Sequence, residues 1–179
     1  MSEEENKVQE ESKQNRFLIY KNRAALVVEN WLFAGKIGIK IAEGVEGKSG
    51  SPKQGVAAYK WNEAINIGFS YLDMLKFSFK LTSMAYGDES ITYTKFADLS
   101  KVQGKDLKGQ KKLHVAPSSY TSKGKEVKII SVNLSLDDKK VSIALDYDEA
   151  YALAKHLEFT YQYALNNTLK NESGYGKDK

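Results

Sequence analysis

Four short stretches of the chain interleave aromatic rings with cations: Tyr20, Lys21 and Arg23; Trp31, Phe33 and Lys36; Tyr59, Lys60 and Trp61; and Tyr93, Lys95 and Phe96. Single-stranded nucleic acid is held by this combination. Cations track its phosphates while unpaired bases stack on aromatic faces, each stack contributing about 1 to 3 kcal/mol. The competing reading places the same rings in a core, since sheet proteins bury Trp and Tyr freely. Charge is spread unevenly. The net charge is +4, but residues 1–15 hold five glutamates against two lysines, whereas residues 101–128 hold eight lysines against Asp106 and Glu126. A basic body with an acidic tail fits a polyanionic partner, for which the tail could compete; the plainer alternative is a solvated lysine-rich face.

Residue types that would carry catalysis are poorly placed. Ala42 to Ser49 formally matches a relaxed phosphate-loop pattern, but Gly50, Ser51 and Pro52 follow where a helix N-terminus would have to begin. His114 and His156 have no neighbour at metal-ligand spacing, and a metal site needs several convergent donors. Asp88 and Glu89, Asp137 and Asp138, and Asp146, Asp148 and Glu149 sit at turns or a helix start, where carboxylates cap backbone N–H groups. With no cysteine and no nucleophile motif, neither an enzyme nor a cofactor or metal is expected. Lack of cysteine also points to a reducing compartment. No apolar stretch has the length of a leader or a membrane span, so the expectation is a cytoplasmic protein of bacterial or bacteriophage origin.

The elements that must position these residues follow from periodicity. Residues 1–15 read as a disordered acidic tail, 16–165 as one domain with an internal duplication, and 166–179 as a flexible C-terminal tail. Phe17 to Trp31 reads as one organising strand whose polar break at Lys21, Asn22 and Arg23 displays cations at its middle. After a turn at Ala34 and Gly35, Ile37, Ile39 and Ile41 alternate with Lys36 and Lys40, the period of a half-buried strand. Gly44 to Gly55 is a long loop, and residues 57–70 supply one or two strands. A helix follows, with Tyr71, Leu72, Met74, Leu75 and Phe79 at three- and four-residue spacing.

Gly87 and Asp88 break that pattern. Strands are then expected at 91–99, 111–120, 126–136 and 139–146, with a lysine-rich connection over 104–109. Asp146 and Glu149 stand in a capping-box relation. Ala150, Leu153, Ala154, Leu157, Tyr161, Ala164 and Leu165 then trace one face of a final helix. The plan is α+β: two antiparallel four-stranded sheets, each followed by a helix (ββββα-ββββα). Each sheet would be covered by its helix on one face and free on the other.

Residues Lys21 to Leu26, reading KNRAAL, and the segment from Ala57 to Phe79 resemble the Whirly family of single-stranded DNA-binding proteins, which shares its fold with positive-cofactor-four transcription coactivators and mitochondrial guide-RNA-binding proteins. Whirly proteins carry KGKAAL on the first strand, so Asn22 here replaces the glycine and Arg23 the second lysine. Tyr59, Lys60 and Trp61 stand where the family has Tyr-Asp-Trp. The likeness spans residues 18–165. It implies sheets set like blades, helices forming the core of a tetramer, and DNA lying along the sheets at subunit edges.

The expectation is therefore a homo-oligomeric protein that binds single-stranded DNA with little sequence preference, in replication, recombination or repair. Lys21 and Arg23 would contact phosphates or hold a subunit edge; Lys36, Lys40, Lys60 and Lys95 would neutralise backbone; Tyr59, Trp61, Tyr93 and Phe96 would stack. RNA binding or annealing is the neighbouring alternative, because stacking alone does not distinguish the sugars. A transcription-cofactor or protein-interaction module is the alternative of another class.

Overall fold

The computed structural model describes residues 16–31, 36–45, 58–101 and 109–174, with side chains at 30, 31, 36, 101 and 167–174 excepted. The acidic tail, the turn at Ala34 and Gly35, most of the Gly44 to Gly55 loop and most of the 104–109 connection lie outside the described residues. Strands β1 (Phe17–Tyr20), β2 (Ala24–Trp31), β3 (Lys36–Glu43) and β4 (Ile65–Ser70) form one antiparallel sheet in sequential order, followed by helix α1 (Tyr71–Ala85). Strands β5 (Tyr93–Asp98), β6 (Gln110–Ser122), β7 (Lys125–Leu136) and β8 (Lys139–Leu145) form the second, followed by helix α2 (Tyr147–Gly174). The ββββα-ββββα plan expected from periodicity is the plan observed.

The supposed single strand from Phe17 to Trp31 is instead a hairpin. Phe17 pairs with Val28 and Tyr20 with Ala25. Lys21, Asn22 and Arg23 supply the turn, because three consecutive polar residues cannot be buried in the middle of a strand and Asn is at home in turns. Alternation then sorts every strand. Leu26 and Val28, Ile37, Ile39 and Ile41, and Ile65, Ile67 and Phe69 are buried on one face of the first sheet. Leu113 and Val115, Ile130, Val132 and Leu134, and Val141, Ile143 and Leu145 are buried on one face of the second.

Both faces are buried in one place. A single apolar cluster joins the two sheets and both helices, with β8 against β2 and β3, and β4 against β7. The expectation of two separately covered sheets is corrected accordingly: a strand face of this apolarity is better hidden against another such face than under one helix. The helices pack on each other at Ser78, which is fully buried and donates from Oγ to the Ala154 carbonyl at 2.8 Å. In α1 the buried set is Met74, Phe77, Ser78, Leu81 and Met84, a spacing of three and four, while Leu72 and Phe79 of the expected apolar face are 57% and 58% exposed. Helix α2 buries Ala150, Leu153, Ala154 and Leu157 as expected, leaves Leu165 exposed and continues to Gly174, because no Pro or Gly interrupts it earlier. Its capping box is formed, with Asp146 N–H donating to Glu149 Oε2 at 2.9 Å and Glu149 N–H to Asp146 Oδ1 at 2.8 Å. His156 lies over the Phe17 ring at 5.1 Å between centroids, and burial pushes its pKa down, so the ring is neutral at neutral pH.

Small side chains at the helix crossing set a testable limit. Ser78→Ala should cost about 1 kcal/mol, the net worth of one hydrogen bond. Ser78→Leu should cost more, about 1 to 3 kcal/mol, by overfilling the crossing. Urea denaturation of the two variants gives the order directly; equal costs would mean that the crossing has room.

Candidate nucleic-acid interface

The hairpin turn at Lys21 to Arg23 is held from three sides. Tyr59 donates its hydroxyl to the Lys21 carbonyl at 2.9 Å, and Gly44 N–H donates to the Arg23 carbonyl at 2.7 Å. Gly44 is needed there, since a Cβ on it would stand 2.8 Å from the Asn22 carbonyl oxygen. From the second half of the chain, Glu149 Oε1 meets Lys21 Nζ at 2.5 Å and Asp146 Oδ2 meets it at 3.7 Å. These are the oxygens that the capping box leaves over, so one carboxylate pair starts α2 and anchors the turn.

Next to this turn opens a cleft of about 910 Å³. Its walls are Tyr20 and residues Lys21 to Ala24 on one side and, on the other, Ser131, Ser142, Ile143 and Ala144 of the second sheet with Tyr120, Val127 and Ile129; Asp146, the ion-pair partner of Lys21, lines it too. Tyr120, Val127 and Ile129 stand on a two-stranded ribbon. β5 ends opposite Val115 and β8 ends opposite Ile130, yet β6 and β7 go on pairing as far as Ser122 and Lys125. Pro117, which has no N–H to offer a third strand, falls just past the end of β5.

The outward faces of the two sheets differ. On the first, Ala25, Ala42, Ala58 and Tyr59 form a small buried cluster with Tyr20 and Trp61 packed against it, so residues 58–64 cover part of that face. On the second, Thr94 and Phe96 of β5, Lys112 and His114 of β6, Ser131, Asn133 and Ser135 of β7, and Ser142 and Ala144 of β8 point away from the core. Phe96 is 54% exposed, with Lys112 Nζ 5.6 Å from its ring centre.

Of the residues singled out in the sequence, several take structural places. Tyr59 is 4% exposed, and burial raises its pKa; it cannot stack on a base. Tyr93 packs on Phe77 with ring centroids 4.7 Å apart, and desolvation followed by the charge of Asp73 pushes its pKa up to about 12. Lys95 lies over the Phe69 ring and binds Asp73 Oδ2 at 2.8 Å, with its side chain 17% exposed. Both Tyr93 and Lys95 share the inward face of β5, which is why they leave the surface together. Lys21 is held by its ion pair.

Others remain accessible. Arg23 is exposed on the cleft rim. Lys40 is half-buried with Nζ 5.8 Å from the centre of the half-buried Trp61 ring, and Lys60 is exposed, 3.8 Å from Glu43. Lys36 begins β3 opposite Ser70, its side chain outside the described residues. The structure therefore brings Arg23 to the cleft, Phe96 to the second sheet's outward face, and Lys40 with Trp61 to the first sheet's. Sequence reasoning missed Lys112, Tyr120 and the polar side chains of β7 and β8. Alternation within Tyr93 to Asp98 could have separated Phe96 from Tyr93 and Lys95; the pairing of Phe96 with Lys112 depends on strand register, which no local pattern reveals. Among the described residues, no three His, Asp or Glu side chains converge as a metal would require, and no helix is long and apolar enough to cross a membrane.

No family model and no curated protein matches the sequence. Solved structures do match in shape. The plant transcriptional regulator PBF-2 covers 92% of this chain and 89% of its own at a TM-score of 0.55 and 19% identity. WHY3 from Arabidopsis thaliana covers 90% and 94% at 0.57 and 19% identity. The MRP1/MRP2 proteins of a trypanosome cover 83% and 92% at 0.50 and 10% identity. The chain has the Whirly fold.

The placement of Lys95 separates folding from binding. Its hydrogen bond lowers the pKa of Asp73 below the ordinary 3.8, so the pair stabilises the fold above that pH and the contribution is lost as pH falls through Asp73's own lower value. Lys95→Met should flatten this acid limb of the stability profile while leaving affinity for single strands unchanged. Weakened binding with an unaltered acid limb would return Lys95 to the interface.

Proposed function

We propose that the protein binds single-stranded DNA, with the strand passing through the cleft beside Arg23 and across the outward face of the second sheet. The observation that carries this reading is the cleft itself. It joins an exposed cation on a rigid turn to an apolar ribbon of Val127, Ile129 and Tyr120, the last 51% exposed, and it opens toward the sheet face that presents Phe96 under Lys112. Phosphates would meet Arg23 and Lys112, and bases would stack on Phe96 and Tyr120. Lys40, Lys60 and Trp61, on the other sheet's outward face, would extend the path. The Whirly fold supports the same reading, since the KNRAAL resemblance implies DNA along the sheets. Little sequence preference is expected of phosphate contacts and stacking, and such binding suits service in replication, recombination or repair.

Self-association belongs to the same proposal. Leu72, Phe79 and Phe159 are each more than half exposed on the outward sides of α1 and α2. Apolar surface of this kind on packed helices fits a second copy of the chain, and the resemblance implies a tetramer built on these helices.

Fluorescence anisotropy with labelled single-stranded DNA, duplex DNA and single-stranded RNA of one sequence tests the binding at several salt concentrations. Single-stranded DNA should bind tightest, with log K falling linearly in log salt. Arg23→Ala should lower the slope by about 0.7, the value of one phosphate contact on a single strand. Phe96→Ala should weaken binding at every salt concentration with the slope intact. If no strand binds at low salt, the basic surface is only solvation. Tighter binding of RNA would instead favour RNA as partner. For assembly, light scattering of Phe79→Glu and Phe159→Glu variants should show a smaller particle than the parent protein; an unchanged mass would move the interface elsewhere.

A further inference from the structure

The centre of the second sheet's outward face is unlike an ordinary solvated face. Its row across the four strands is Thr94, His114, Asn133 and Ser142, paired in register, with Ser131 and Ser135 on either side of Asn133 along β7. None of these is a carboxylate or a cation, although a strand face turned to water ordinarily carries such residues. Charge stands instead at the margins, as Lys112 and Lys140 in the next row and, across the cleft, Arg23 with Asp146 at the cleft wall.

The row is also tied together. Thr94 Oγ1 and His114 Nδ1 are 2.9 Å apart, Ser142 Oγ donates to Asn133 Oδ1 at 2.6 Å, and Asn133 Nδ2 donates to Ser131 Oγ at 3.0 Å. These bonds use one N–H and one lone pair of the Asn133 amide. A second N–H and a second lone pair of the same amide are left over, on a side chain already held by two bonds, so little ordering entropy is spent when they are used. Ser131 and Ser142 continue into the cleft.

A neighbouring donor and acceptor is the complement of one chemical feature that all four nucleobases share. The Watson–Crick edge of each base also sets a donor beside an acceptor: N6 and N1 of adenine, N4 and N3 of cytosine, N3 and O4 of thymine, N1 and O6 of guanine. We propose that the Asn133 amide, held by Ser131 and Ser142, binds the Watson–Crick edge of a base in the bound strand. This deepens the single-strand reading and rests on it. Such an edge is free only in an unpaired base, so the row selects single strands over duplex without selecting among bases, and a bound segment is masked from pairing.

The test separates edge recognition from stacking. Two labelled strands of one sequence are compared, one carrying adenine and the other purine deoxyriboside, which keeps the two fused rings and lacks the N6 amino donor. The parent protein should bind the adenine strand about three- to tenfold tighter, the range expected of one hydrogen bond. The difference should vanish in Asn133→Ala and shrink in Ser142→Ala, which frees the amide to rotate, while Phe96→Ala should weaken both strands in parallel and keep the difference. Equal binding of the two strands by the parent protein, or a difference that survives Asn133→Ala, overturns the edge contact and leaves single-strand binding standing. Failure of both strands to bind overturns the single-strand reading as well.

Discussion

The strands carry apolar faces with a period of two, broken on β5 by the ion-paired Lys95, and such a face cannot be left in water even though the opposite one can. This constraint arranges the molecule. Two sheets of four strands have two such faces to hide, and two helices of modest apolarity are too little to hide them separately. The faces meet in a common core with the helices packed beside them, and each sheet's second face is thereby turned outward. A molecule that buried each sheet under its own helix would have had no cleft, because the cleft lies where the first sheet's hairpin turn meets the second sheet's open side.

The two outward faces have been put to different uses. On the first sheet, Ala25 and Ala42 are small enough for the segment from Ala58 to Ala64 to lie across them, and Tyr59 spends its hydroxyl on the backbone of the turn. On the second, short polar side chains leave a shallow floor with nothing laid over its centre among the described residues. Aromatic residues follow this division: Tyr59 and Tyr93 serve the fold, Phe96 and Tyr120 the surface. An aromatic residue on a strand is therefore informative only with its face, and the face is known only once the neighbouring apolar residues are assigned.

That is also where the sequence stopped being legible. The four strands of the second sheet, both helices, the capping box at Asp146 and Glu149, and the turns near Gly87 and Asp137 followed from local patterns with a direct physical cause. The hairpin at Lys21 to Arg23 was hidden because apolar runs on both sides of a polar triplet are compatible with one long strand as well as two short ones. The exposed side of α1 was misassigned because Leu72 and Phe79 recur at helical spacing as regularly as Met74, Phe77 and Leu81 do; periodicity finds a stripe, and packing chooses among stripes. The surface row of Thr94, His114, Asn133 and Ser142 comes from four strands and exists only through register, so no window of sequence contains it.

Lys21 adds a final consequence. Its ammonium group lies in the turn of the first hairpin, and its partners are the two carboxylates that begin the last helix, more than a hundred residues later. Neither half of the duplicated plan is a self-contained repeat: one apolar cluster takes side chains from both sheets and both helices, and removing the second half would also strip the turn of its counter-charges. Although its architecture is doubled, the chain should melt in a single cooperative transition, and two separately expressed halves should regain structure only when mixed.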